Sequence, residues 1–149
     1  MASTTIYEVK ADLLTNLQAA SALSGVQVTY GDPGGAARRE SIFLGDVDSS
    51  NQIPESLSTG RRRRIEEYTL EVLVFVQSKA AGLQEAEQRA VVLAAAVEDV
   101  VADAPQLSGT VSGLMFVECS GMSMSSAEAG VDGPRVACSV NFNVKARLA

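Results

Sequence analysis

The sequence predicts an α+β domain: a mixed, largely antiparallel sheet with two helices packed on one face, in the order α-β-β-β-α-β-β. Three observations carry that reading. Apolar residues recur at spacings of three and four over 6–24 and 83–104, the period of a helix with one buried stripe. Clean alternation runs through 135–147, the period of a half-buried strand, and 63–77 has the same period on the face of Tyr68, Leu70, Val72, Val74 and Val76. Strands come in runs between the helices, which favours antiparallel pairing over a βαβ sheet. The 149 residues suit a single domain, 1–149, with a substantial core.

The first helix, 6–24, carries Ile6, Val9, Leu13, Leu17, Ala20 and Leu23 on its apolar side. Thr5 and Glu8 stand in the T-x-x-E spacing of a capping box, and Gly25 is placed to end the helix. A short strand follows at 26–30, with Val26, Val28 and Tyr30 on one face. Gly31-Asp-Pro-Gly-Gly35 is a turn or loop. The second strand is expected at 41–47. From 48 to 60 the chain is polar except for Ile53 and Leu57, and reads as a long loop of a kind that is often functional.

The third strand, 63–77, is the longest. Tyr68, Leu70, Val72, Val74 and Val76 share one face. Glu67, Thr69 and Glu71 lie on the other, followed by Leu73 and Phe75. Its second half is therefore apolar on both sides and is expected at the centre of the sheet or against another subunit. The second helix, 83–104, has Leu83, Ala86, Ala90, Leu93, Val97, Val100 and Ala104 in register, acidic residues at its start and Pro105 at its end. Strands at 114–123 and 135–147 close the chain as a hairpin with a long loop.

Composition narrows the function. Hydrophobic residues make up 46 %, which excludes wholesale disorder, and no apolar run approaches the roughly 20 residues that span a bilayer. The N-terminus has neither the basic start nor the apolar stretch of a signal peptide, so synthesis inside the cell is expected. A net charge of −6 argues against general duplex-DNA binding. Cys119 and Cys138 fall on separate expected strands and read as buried thiols, not as a disulfide.

Catalytic chemistry has little to stand on. The chain contains no histidine, no G-x-S-x-G, no H-E-x-x-H, no Walker A and no G-x-G-x-x-G. The Gly31–Gly35 turn lacks the Lys-Ser/Thr of a phosphate loop. Asp46, Asp48 and Glu55 could offer oxygens to a divalent cation, but their spacing is not that of an EF-hand and a solvated acidic loop is the plainer reading. Glu67 and Glu71 could form an acid–base pair, and ion pairing explains them more simply, as it does Glu66. No cofactor is expected, and an enzyme is not.

The stretch that stands out is 56–77, where a polar loop ends in Arg61, Arg62, Arg63 and Arg64 and passes straight into the third strand. The arginines admit three readings: a solvated loop end, salt bridges to acidic patches on a neighbouring subunit, or contact with nucleic-acid phosphates in a channel. Bidentate pairing with carboxylate or phosphate suits the last two.

An N-terminal amphipathic helix, a V-x-V-x-Y strand and an S-I-F-L-G strand come before this stretch. A loop ending in R-R-R-R-I-E-E-Y-T-L-E-V, an alanine-rich helix and a terminal hairpin complete the series. Nearly the whole chain thus resembles the tail terminator proteins of long-tailed bacteriophages, especially those of phages infecting actinobacteria. The resemblance implies a ring, usually hexameric, seated on the last ring of the tail tube at the tail–neck junction of the virion, with its subunits made in the host cytoplasm. Such a ring stops tube polymerisation and docks the head connector, and DNA passes through its lumen without sequence-specific binding. The implied partners are further copies of the chain, the major tail tube protein and the head-to-tail connector or head-completion protein. The protruding hairpin arm would be about 48–65. Interface or lumen residues would be Ile53, Leu57, the four arginines, Glu67, Glu71, Leu73 and Phe75. A tail-tube subunit or head-completion protein is the neighbouring alternative, and a small ligand-binding domain a more distant one.

Overall fold

The computed structural model describes residues 4–34, 39–54, 63–78, 82–127 and 133–148, with backbone alone at 49 and 50. Among the described residues, helix α1 (Ile6–Ala19) and helix α2 (Leu83–Asp103) accompany five strands: β1 (Gln27–Thr29), β2 (Glu40–Pro54), β3 (Arg64–Gln77), β4 (Leu114–Ala127) and β5 (Arg135–Leu148). The sheet order is β1-β2-β3-β5-β4. Among the described residues only the short β1–β2 pair is parallel, and the other neighbouring pairs are antiparallel.

Alternation puts Tyr68, Leu70, Val72, Val74 and Val76 of β3 on one face, as the sequence predicts, and Val136, Cys138, Val140, Phe142 and Val144 of β5 join them. All are buried beneath the two helices. Helix α2 packs across β3, β5 and β4, with Ala86, Ala90, Leu93, Ala94, Val97 and Val101 inward. Its alanines let the helix approach the sheet closely. Helix α1 covers the β1–β2 side with Val9, Leu13 and Leu17. Asp12 ties it to the turn after α2 by accepting from the Ser108 backbone N–H at 3.0 Å.

Three expectations need correction. The first helix does not run unbroken to residue 24. It leaves helical geometry at Ala20, where ψ is 124°, and a 3-10 turn (Ser21–Leu23) follows. At 3.6 residues per turn a continuous helix would hold Leu23 about 80° from Leu13, off the middle of the buried stripe. The break returns Leu23 to the core, and Gly25, at φ +82°, turns the chain into β1.

The second correction concerns the capping box. Thr5 makes no side-chain cap bond and Glu8 is exposed. The carboxylate that reaches the Thr5 N–H comes from β3 and is that of Glu66, described below.

The third concerns 48–54, expected as loop. These residues continue β2, with Asn51, Gln52, Ile53 and Pro54 opposite Glu67, Glu66, Ile65 and Arg64. Two irregularities, between Leu44 and Val47 and between Asp48 and Asn51, shift the register and erase the alternation that would have revealed a strand. The described part of the 48–65 arm is therefore sheet, and β5 runs beside β3 as far as the Arg64–Leu148 pair. Residues 55–62 lie outside the described residues. Strand β4 also runs four residues past its expected end at 123, to Ala127.

One glycine is required by close approach. A Cβ at Gly113, where φ is +82°, would lie 2.0 Å from the Arg147 carbonyl oxygen. The Gly113 carbonyl in turn accepts the Arg147 N–H at 2.7 Å, joining the start of β4 to the end of β5. Among the described residues no helix is long and apolar enough to cross a membrane.

Candidate assembly surface

With both helices on one face, the other face of the sheet has no layer over it among the described residues. On β3 this open face carries Ile65, Glu67, Thr69, Glu71, Leu73 and Phe75, all half-buried by their neighbours across the strands. Phe43 of β2 lies opposite Leu73, and Ser41 opposite Phe75. On β5, Ala137, Ser139, Asn141, Asn143 and Lys145 flank them. The face is thus apolar at one end, around Phe43, Leu73 and Phe75, and polar along the rest. The sequence predicts that division of β3.

Glu67 and Glu71 share this face but are held separately. Glu67 meets its cross-strand partner Lys145 at 3.2 Å. Both side chains are partly solvated, so the pair contributes at most about 1 kcal/mol. Glu71 accepts a hydrogen bond from Ser139 Oγ at 2.7 Å and packs on the bare backbone of Gly45, where an added Cβ would come within 3.2 Å of its carboxylate.

Two shallow clefts mark the polar part. One, of about 300 Å³, lies between Glu67, Phe116, Glu118 and Lys145. The other, of about 690 Å³, is bordered by Asp46, Asp48, Glu71 and Ser139. Carboxylates outnumber cations along both. Of the carboxylates weighed as cation ligands, Glu55 lies outside the described residues, and no group of three or more metal-binding side chains is found among those described.

Ile53 is 54 % exposed at the far end of β2, opposite Ile65. Arg63 is exposed. Arg64 points back along the hairpin and donates to Gln52 Oε1 at 2.6 Å. Leu57, Arg61 and Arg62 lie outside the described residues. The structure thus gathers Glu67, Glu71, Leu73 and Phe75 on one surface and sets Ile53, Arg63 and Arg64 toward one end of the same hairpin.

One group escaped the sequence reading. Glu66, expected to be ion-paired, is 0 % exposed on the core side of β3. Its carboxylate accepts from the Thr5 N–H at 2.9 Å, from Thr5 Oγ1 at 3.0 Å and from Thr4 Oγ1. Thr5 Oγ1 also lies 3.1 Å from the Tyr68 hydroxyl. Glu66 therefore caps α1 from another strand, where a negative charge complements the helix N-terminus. The signal was present: Glu66 shares the parity of Tyr68, Leu70 and Val72. Burial raises the Tyr68 hydroxyl pKa well above its ordinary value, the Thr5 bond opposes the rise, and the charges of Glu66 and Glu8 add to it.

Both cysteines are free. Cys138 is buried, which pushes its thiol pKa up, whereas Cys119 is only half-buried, contrary to expectation. A further exposed apolar group lies on the helix side, with Met122 and Met124 of β4 each 45 % exposed and Val91 of α2 52 % exposed.

No protein-family model matches the chain, and no curated protein does. Among solved structures, the chain is similar in fold to a chain in the virion of a native gene transfer agent particle. The match has a TM-score of 0.62 at 19 % identity and covers 99 % of this chain and 100 % of the other.

Proposed function

We propose that this protein is a tail terminator: a structural virion subunit that forms a hexameric ring on the end of a phage-like tail tube. The ring halts tube growth and presents the surface that docks the head connector, and DNA passes through its lumen. Its partners are other copies of itself, the tail tube protein and the head-to-tail connector. It acts through shape and charge, without catalysis.

The observation that carries this reading is the fold likeness to a virion chain, which runs end to end in both proteins. The order of elements and the arginine-ended hairpin, which resemble tail terminators, favour this component over its neighbours. The exposed Ile53 and Arg63 and the open face with Leu73 and Phe75 offer contact surfaces of the kind a ring needs. In this account the hairpin end, with Leu57 and Arg61 to Arg64, faces a neighbouring subunit or the lumen.

The test is capping. Purified chain added to growing tail tubes should stop elongation at substoichiometric amounts and appear as a ring at one tube end. Incorporation along the tube, or growth of long tubes from the chain alone, would make it a tail-tube subunit. Binding to the head connector without any effect on tubes would make it a head-completion protein.

A further inference from the structure

The open face of the sheet and the end of the β2–β3 hairpin carry opposite charge. Cross-strand pairing sets Asp48, Thr69, Asn143 and Glu118 in one row across β2, β3, β5 and β4. Glu67 and Glu71 lie two residues to either side of Thr69, and Asp46 borders the larger cleft beside Glu71. Against these five carboxylates the two clefts hold one cation, Lys145, so the band has a formal charge of −4. Asp48 is already engaged, and Asp46 and Glu118 are exposed at the two sides of the band. A carboxylate has about four acceptor sites, so the Glu67–Lys145 pair and the Ser139 bond to Glu71 leave capacity on both.

The spacing of this band selects its occupant. Three strand steps of about 4.8 Å put the two sides of the row about 14 Å apart. No three of these groups converge on a metal site among the described residues. Carboxylates spread in this way suit several separate cations held on one surface.

The hairpin end is such a surface. Four of the chain's 12 lysines and arginines are Arg61 to Arg64. Arg63 is exposed, and the guanidinium of Arg64 is held by Gln52. Arg64 stands five residues, about 17 Å, along β3 from the Thr69 row, so the basic end and the acidic band of one molecule are set apart. The two surfaces match in apolar character as well. The band gives way to Phe43, Leu73 and Phe75, and the hairpin end carries the exposed Ile53.

We propose that the arginine-bearing hairpin end of one subunit docks on the acidic band of a second copy, with Arg61 to Arg64 pairing with carboxylates of that band. The contact joins two different surfaces, which is the heterologous kind that closes into a ring under rotation. Arginine suits it because its planar fork binds a carboxylate through two hydrogen bonds. Opposite charge speeds the encounter and fixes the register of the two copies. This inference rests on the ring reading and deepens it by naming both halves of the subunit contact.

Charge reversal on the full chain tests it. The end variant is Arg61→Glu/Arg62→Glu/Arg63→Glu, and the band variant is Asp46→Lys/Glu118→Lys at exposed positions. Both should keep the parent's circular dichroism and thermal midpoint. By light scattering, each alone should assemble only at about tenfold higher concentration or more. Mixed one to one, each hairpin end meets the opposite charge on the other variant, and assembly should return at the parent's concentration. Folded variants that each assemble like the parent would overturn the contact and leave the ring standing. So would a mixture that fails to recover. Recovery with all changes in one chain, but not on mixing, would place the contact within a subunit and overturn the docking. The parent gives an independent reading. Raising salt from about 0.05 M to about 0.5 M should raise its assembly concentration about tenfold, and indifference to salt would overturn the pairing. A parent chain monomeric at every concentration would overturn both the docking and the ring.

Discussion

Replacing Glu66 probes the least expected feature of the fold. In Glu66→Leu the Thr5 N–H loses its acceptor, and both sit in the interior. A stranded buried donor costs about 1–3 kcal/mol. The Thr5 hydroxyl keeps Tyr68 as a partner and Thr4 is only part-buried, so neither adds a full penalty. Loss of the negative charge at the α1 N-terminus adds about 0.3–1 kcal/mol. Leucine recovers part of this by removing a buried charge. The net expectation is a loss of about 1–3 kcal/mol. Glu66→Gln keeps one acceptor oxygen for the Thr5 N–H and should lose about half as much. Urea unfolding followed by circular dichroism at fixed protein concentration reads both, with an unchanged slope as the check on two-state behaviour. A Glu66→Leu chain as stable as the parent would refute the claim that this carboxylate anchors α1 to β3.

Gly113→Ala should be among the most damaging single changes, about 3 kcal/mol or more, because it combines positive φ with a Cβ pressed against the Arg147 carbonyl; thermal denaturation checks it. Tyr68 gives a pH signature. Its raised folded-state pKa means its contribution to stability is fully present below the ordinary tyrosine value of about 10 and is lost as pH rises above it. Tyr68→Phe should flatten that alkaline loss in a pH series of urea midpoints. Replacing Arg61, Arg62, Arg63 and Arg64 with serine should leave the thermal midpoint nearly unchanged and sharply lower the yield of joined, infectious particles. Normal yields would remove the arginines from the assembly account.

Much of this architecture was legible in the sequence because the core obeys simple periods. Alternation through Tyr68–Val76 and Val136–Val144 located the central strands, and the stripe Ala86–Val97 located α2. What stayed hidden was polar or irregular. Residues 48–54 are a strand whose two register shifts break the alternation, so composition alone suggested a loop. In β4, the serines from Ser125 on read as the start of a loop, so the strand was expected to end at 123 and not at Ala127. The break after Ala19 follows from where Leu23 must pack, which no local pattern encodes. For the candidate surface, the division of β3 into an apolar and a polar half was readable. The capping role of Glu66 depends on α1 and β3 meeting some 60 residues apart in sequence, which only tertiary structure reveals.

The account stands or falls on self-association. Light scattering of the purified chain across concentration, with negative-stain images of the same fractions, measures it directly. The account predicts a species near 94 kDa, about six chains of 15.6 kDa, seen as rings with a central hole and no long tubes. A single 15.6 kDa species at every concentration, or long tubes from the chain alone, would contradict it.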